Sequence, residues 1–120
     1  LYAAVKAAHG AALRMTRAGV AVKRVHAAAA DTFTRLGYKN ETLDGKPQGF
    51  IHSTGHGVGL EIHEAPSLGP ADGRLRKGAV VTIEPGLYYP RLGGVRIEDT
   101  VVVERSGYRL LAACPYWFEL

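Results

Sequence analysis

Helical periodicity in this 120-residue chain is confined to the first 36 residues, and everything after Gly37 is cut into short apolar runs by Gly, Pro and Asp. That order leaves few folds open. In residues 1–18, Val5, Ala8, Ala12 and Met15 recur at spacings of three and four, with Gly19 as the stop. In residues 22–36, Val25, Ala28, Ala29, Phe33 and Leu36 fall on one side and Gly37 ends the helix. Two amphipathic helices need an apolar surface to cover. Residues 60–63, 79–84, 94–104 and 108–112 supply it, reading as strands between turn residues. Residues 40–48 are polar, contain Gly45 and Pro47, and read as a loop. The fold class is therefore α+β, two helices on an antiparallel sheet. One domain is expected, because a boundary in that loop would leave two pieces too small to hold a core.

Composition narrows the partners. A hydrophobic share of 47% against a charged share of 22% fits an ordinary globular chain, and the net charge of +4 comes from Lys and Arg that are scattered along it. No aromatic residues alternate with them as on a nucleic-acid platform, so nucleic-acid binding is set aside. No run of 18 or more apolar residues and no cleavable leader is present, which sets a membrane aside as well. Cys114 is the only cysteine, so an internal disulfide is excluded; it reads as a small buried hydrophobe, and a cytoplasmic location is expected. The chain opens inside a helical pattern without an initiator Met or a capping residue, which reads as a fragment lacking its upstream part.

Chemistry gathers in residues 52–64, His-Ser-Thr-Gly-His-Gly-Val-Gly-Leu-Glu-Ile-His-Glu, where three histidines thread a glycine-rich turn. Gly55, Gly57 and Gly59 let the chain turn close around His56. Read as a strand, residues 60–63 put Leu60 and Ile62 on one face and Glu61 and His63 on the other. Glu84 stands directly before Pro85, which cannot donate to a ladder, so the strand should end with Glu84 at its tip. In the next run Arg96 and Glu98 share a face opposite Val95 and Ile97, which places Arg96 to orient or neutralise a carboxylate. One histidine or one glutamate in a strand is more often structural or solvated than functional. The combination of His56, His63, Glu84 and Glu98, all among apolar or glycine-rich neighbours, favours a metal site. Imidazole with several carboxylates suits Mn²⁺, Zn²⁺, Co²⁺ or Fe²⁺.

Other motifs fail. His63-Glu64 opens like the zinc-protease helix motif, but Ser67 stands where its second His belongs and Pro66 forbids the helix. Gly57-Val58-Gly59 begins like a dinucleotide loop, but Ile62 replaces the third glycine. Ser53 lacks a nucleophile-elbow context.

The set of residues 52–64, Ile83-Glu84-Pro85-Gly86 and Gly94-Val95-Arg96-Ile97-Glu98-Asp99 resembles the C-terminal half of the pita-bread metallopeptidases. It is most similar there to the Xaa-Pro dipeptidase (prolidase) and aminopeptidase P branches. His56 and Glu84 lie 28 positions apart and Glu84 and Glu98 lie 14 apart, as in that family pattern. The resemblance implies a curved antiparallel sheet and hydrolysis of the bond preceding proline by two divalent metal ions, Mn²⁺ first among them. It implies that His56 and Glu84 ligate one ion, that Glu98 bridges both, and that Glu84 also shuttles the proton. His63 would bind substrate and steady the oxyanion, His52 would line the proline side of the pocket, and Arg96 would support the site from behind. It further implies two Asp ligands and another His upstream of this chain; Asp31 in a helix and Asp44 and Asp72 in loops cannot replace them. Implied partners are an Xaa-Pro peptide, the upstream half of the domain and further copies in a homo-oligomer. Alternatives are a creatinase-like amidinohydrolase, which would not need His56, Glu84 and Glu98, or a non-catalytic binding module, which would be free to lose them.

Overall fold

The computed structural model describes residues 1–116. Helix α1 runs Tyr2–Met15 and α2 runs Val22–Arg35. α1 buries Ala4, Val5, Ala8, His9, Ala12 and Leu13, a face whose small residues let α2 and the sheet approach closely. It stops three residues short of the expected end. Thr16 turns extended and bonds its hydroxyl back to the Ala12 carbonyl at 2.9 Å, a side-chain competitor for helical hydrogen bonding. α2 ends in a Schellman motif: Gly37, at φ +85°, donates to Thr34 and Tyr38 donates to Phe33. Leu36 belongs to that turn and is 52% exposed, not on the buried side of the helix.

Among the described residues nine strands follow: β1 Glu41–Leu43, β2 Lys46–Gln48, β3 His56–Gly57, β4 Glu64–Ser67, β5 Val80–Ile83, β6 Gly86–Tyr89, β7 Gly93–Arg96, β8 Asp99–Val103 and β9 Tyr108–Leu110. Five form an antiparallel sheet in the order β4-β3-β5-β8-β9. The α+β class is as the sequence indicates. Its core joins Val5, Ala8 and Ala12 of α1 and Val25, Ala29 and Phe33 of α2 to Val81, Ile83, Val101 and Val103 of the sheet. Among the described residues no helix is long and apolar enough to cross a membrane.

Four readings are corrected. Residues 40–48 are a hairpin, β1–β2, closed by Asp44 and Gly45 at φ +51° and +73°. Both central residues are left-handed, as a two-residue hairpin turn requires. Residues 60–63 are not a strand but the exposed tip between β3 and β4, with Leu60 fully exposed and Ile62 73% exposed. Glu61 and His63 therefore do not share a sheet face. The expected strand over 94–104 is broken at Ile97 and Glu98. Pro85 lies opposite that break and offers no N–H to the ladder. Cys114 is exposed, in the irregular segment after β9, and not a buried hydrophobe.

The break has a geometric consequence. Ile83 pairs with Asp99 and Gly86 pairs with Arg96, so one register runs through both hairpin halves. The rungs between them place Glu84 opposite Glu98.

Candidate metal centre

His56 is carried to the site by a close crossing of two backbones. A side chain on Gly55 would put its Cβ 1.9 Å from the Thr82 carbonyl oxygen, so only glycine lets the 52–57 segment lie this near β5. The His56 N–H donates to the Thr82 hydroxyl at 3.0 Å, and that hydroxyl donates to Glu84 Oε1 at 2.8 Å. The Glu84 N–H donates to the Thr54 carbonyl at 2.7 Å. Glu84 sits just beyond the end of β5, as its place before Pro85 indicates, and is 9% exposed.

Replacing Gly55 with Ala should thus force backbone from backbone. The expected loss is about 2 kcal/mol, within the usual range for overpacking, read as a lower urea midpoint. Gly107→Ala, where a Cβ meets open space, should stay within about 0.5 kcal/mol of the parent. Equal midpoints for the two variants would show that the crossing is not tight.

The two side chains meet at 3.1 Å, His56 Nε2 to Glu84 Oε1, both mostly buried. His56 Nδ1 donates to the Gly57 carbonyl at 2.9 Å; since a carbonyl only accepts, the hydrogen of a neutral ring belongs on Nδ1. A neutral ring then turns its Nε2 lone pair to the carboxylate oxygen, a pairing that a cation between the two would stabilise. This is how metal-binding histidines are prepared, one nitrogen fixed by a backbone acceptor and the other left to ligate. The N and O donor set fits a divalent first-row ion.

Arg96 Nη1 lies 3.7 Å from Glu84 Oε2, so it does approach a carboxylate, with its own side chain half exposed. At that exposure the pair orients more than it stabilises. The His63 ring packs edge-on to His56 with centroids 4.4 Å apart, although His63 itself is exposed. His52 stands apart from this cluster. Its Nδ1 donates to the Ser53 carbonyl at 2.7 Å, its Nε2 accepts from the Tyr88 hydroxyl at 3.1 Å, and its ring meets Phe50 edge-on. Glu98 is exposed on the rung facing Glu84. Among the described residues no three His, Cys, Asp or Glu side chains come together as a metal-holding group. His56 and Glu84 are in contact; Glu98 lies alongside without closing a cluster with them.

Thr82 and His26 were not picked out from sequence. Thr82 is the one polar residue in the β5 run Val80-Val81-Thr82-Ile83, two positions before Glu84 and so on its face. That polar interruption was the available signal. His26 on α2 contacts the Thr54 hydroxyl through Nδ1 at 3.0 Å and stacks on Phe50. Burial holds it below the ordinary histidine value, and nearby His52 adds to the effect. Nothing in the pattern of α2 ties it to a segment 28 residues away.

A family model for metallopeptidase family M24 matches residues 1–105. The chain belongs to this family. It is 42% identical over 112 residues, 92% of its length, to an Xaa-Pro dipeptidase of Pyrococcus furiosus, of which it covers 30%. The prolidase structure from that organism superimposes with a TM-score of 0.84 at 42% identity, over 95% of this chain and 32% of that one. An X-Pro aminopeptidase structure from Thermotoga maritima gives a TM-score of 0.84 at 35% identity, over 95% of this chain and 30% of that one. The chain thus has the fold of the matching part of a pita-bread metallopeptidase and spans about a third of the length of these M24 relatives.

Proposed function

We propose that this chain contributes three ligands, His56, Glu84 and Glu98, to a dinuclear centre that hydrolyses the bond preceding proline. The other ligands come from outside its 120 residues. The observation that carries the reading is the His56–Glu84 contact, with Nδ1 of His56 held by the Gly57 carbonyl. The resemblance to Xaa-Pro dipeptidases and to an X-Pro aminopeptidase supports the substrate class. Two divalent ions, Mn²⁺ first among the candidates, would supply Lewis acidity and a hydroxide nucleophile.

The chain's own groups do the rest. Glu84, mostly buried and braced by Thr82, accepts a proton from the nucleophile and passes it to the leaving nitrogen. His63, on the exposed tip beside His56, reaches a substrate carbonyl and donates to its developing negative charge. His52 has both ring nitrogens occupied by Ser53 and Tyr88. It therefore serves the proline side of the pocket as a fixed wall and not as a hydrogen-bond donor. Arg96 keeps Glu84 turned toward the site.

The test uses the complete peptidase containing this chain. Chelation should abolish cleavage of an Xaa-Pro dipeptide or an Xaa-Pro-Yaa tripeptide, and Mn²⁺ should restore it with two ions bound per chain. The ratio of the two substrates separates the dipeptidase from the aminopeptidase P type. The 120-residue chain by itself should bind metal weakly and cleave neither. Cleavage that survives complete chelation would sink the proposal.

A further inference from the structure

Of the residues that α1 buries, His9 is the only ionisable one, and it is 2% exposed. Packing alone gives no reason for an imidazole among Ala8, Ala12 and Leu13, since burying it removes it from water without an apolar gain. Its surroundings do give one. Nε2 lies 3.2 Å from Asp99 Oδ2, within ion-pair distance though short of hydrogen-bond geometry. Burial holds His9 below the ordinary histidine value, against which Asp99 and the nearby Ile83 backbone favour the protonated ring. Ile83 and Asp99 are directly paired across β5 and β8. Ile83 immediately precedes Glu84, and Asp99 immediately follows Glu98.

Asp99 is held from a second side. The Tyr116 hydroxyl donates to the same Oδ2, the Tyr116 ring packs edge-on to His9 at 5.7 Å, and its carbonyl accepts from the Tyr2 hydroxyl at 2.7 Å. One helix side chain therefore lies against the β5–β8 rung adjoining the two carboxylates. The ladder gives no help beyond that rung, where Pro85 and the break at Ile97 and Glu98 interrupt it.

We propose that His9 is a positioning residue that fixes the separation of the Glu84 and Glu98 strands from behind, so that both carboxylates can serve one metal centre. The inference rests on reading Glu84 and Glu98 as ligands. It differs from simple helix docking in what it predicts. A docking role would appear as lost stability of the metal-free protein, whereas a positioning role appears as lost metal affinity.

The variant that separates them is His9→Phe, which keeps the ring and its contact with Tyr116 while removing both nitrogens. In the complete peptidase it should weaken Mn²⁺ binding by about tenfold or more and lower kcat similarly, the range usual for groups that orient metal ligands. The thermal midpoint of the metal-free protein should change little, because the buried Nε2 that is lost makes no hydrogen bond and Asp99 keeps that of the Tyr116 hydroxyl. His9→Gln, whose amide nitrogen can reach the Asp99 carboxylate from the position of Nε2, should recover part of the affinity. Unchanged Mn²⁺ affinity in His9→Phe would overturn the proposal. Should that variant fail to fold, Asp99→Asn decides the matter by the same titration, with retained affinity counting as refutation. Failure of the ligand reading itself looks different: Glu98→Gln would keep both metals whatever residue stands at position 9.

Discussion

Replacing Glu98 with Gln in the complete peptidase is expected to remove at least one metal ion and abolish cleavage of Xaa-Pro substrates. Glu98 is exposed at the break between β7 and β8, on the rung facing Glu84. An amide of nearly the same shape preserves that placement and removes only the charge. A structural role would tolerate the change, whereas a carboxylate shared by two cations would not, since the amide nitrogen offers no lone pair to the second ion. Glu104→Gln is the control. Glu104 follows β8 and pairs with Arg109 at 3.6 Å, both more than half exposed. Its loss should stay within about 0.5 kcal/mol in stability and leave turnover near normal. If Glu98→Gln kept both metals and near-normal turnover, the dinuclear reading would give way to a metal-free hydrolase or a binding module.

The helices and the end of β5 were legible because local signals agreed with the tertiary outcome. Apolar spacing, Gly37 in its left-handed cap and Pro85 after Glu84 each specify backbone geometry within a few residues. Residues 60–63 misled because Leu60 and Ile62 alternate like a half-buried strand. In the fold they project from the β3–β4 hairpin, whose register shifts between His56 and Gly57. The Asp44-Gly45 turn was readable as a hairpin dipeptide, but both flanking runs are polar and largely exposed, so no apolar alternation marked them as strands.

Within the site, His56 and Glu84 were conspicuous as polar side chains in glycine-rich or apolar settings. What joins them was not visible. The Thr82 hydroxyl bridges two elements, and the contacts of His26 and His9 reach from the helices to segments distant in sequence. A periodicity argument sees one element at a time, so contacts between elements emerge only once register and packing are known.

His63 tests the division between ligands and substrate-facing groups. It lies on the exposed tip, where Leu60 and Ile62 are also exposed, and touches the site through the edge of the His56 ring. No core contact depends on it, so His63→Ala should leave the thermal midpoint unchanged. His56 already has Nδ1 tied to Gly57 and Nε2 turned to Glu84, so losing a neighbour at its ring edge should not release a metal. The expected result is near-normal metal content with kcat lowered by about 10²- to 10³-fold, the usual effect of deleting one donor to a developing oxyanion. KM should change less, because the lost interaction strengthens only as charge develops. Ion loss in the variant would make His63 a ligand. A rise in KM at unchanged kcat would confine it to binding and leave the oxyanion without a donor from this tip.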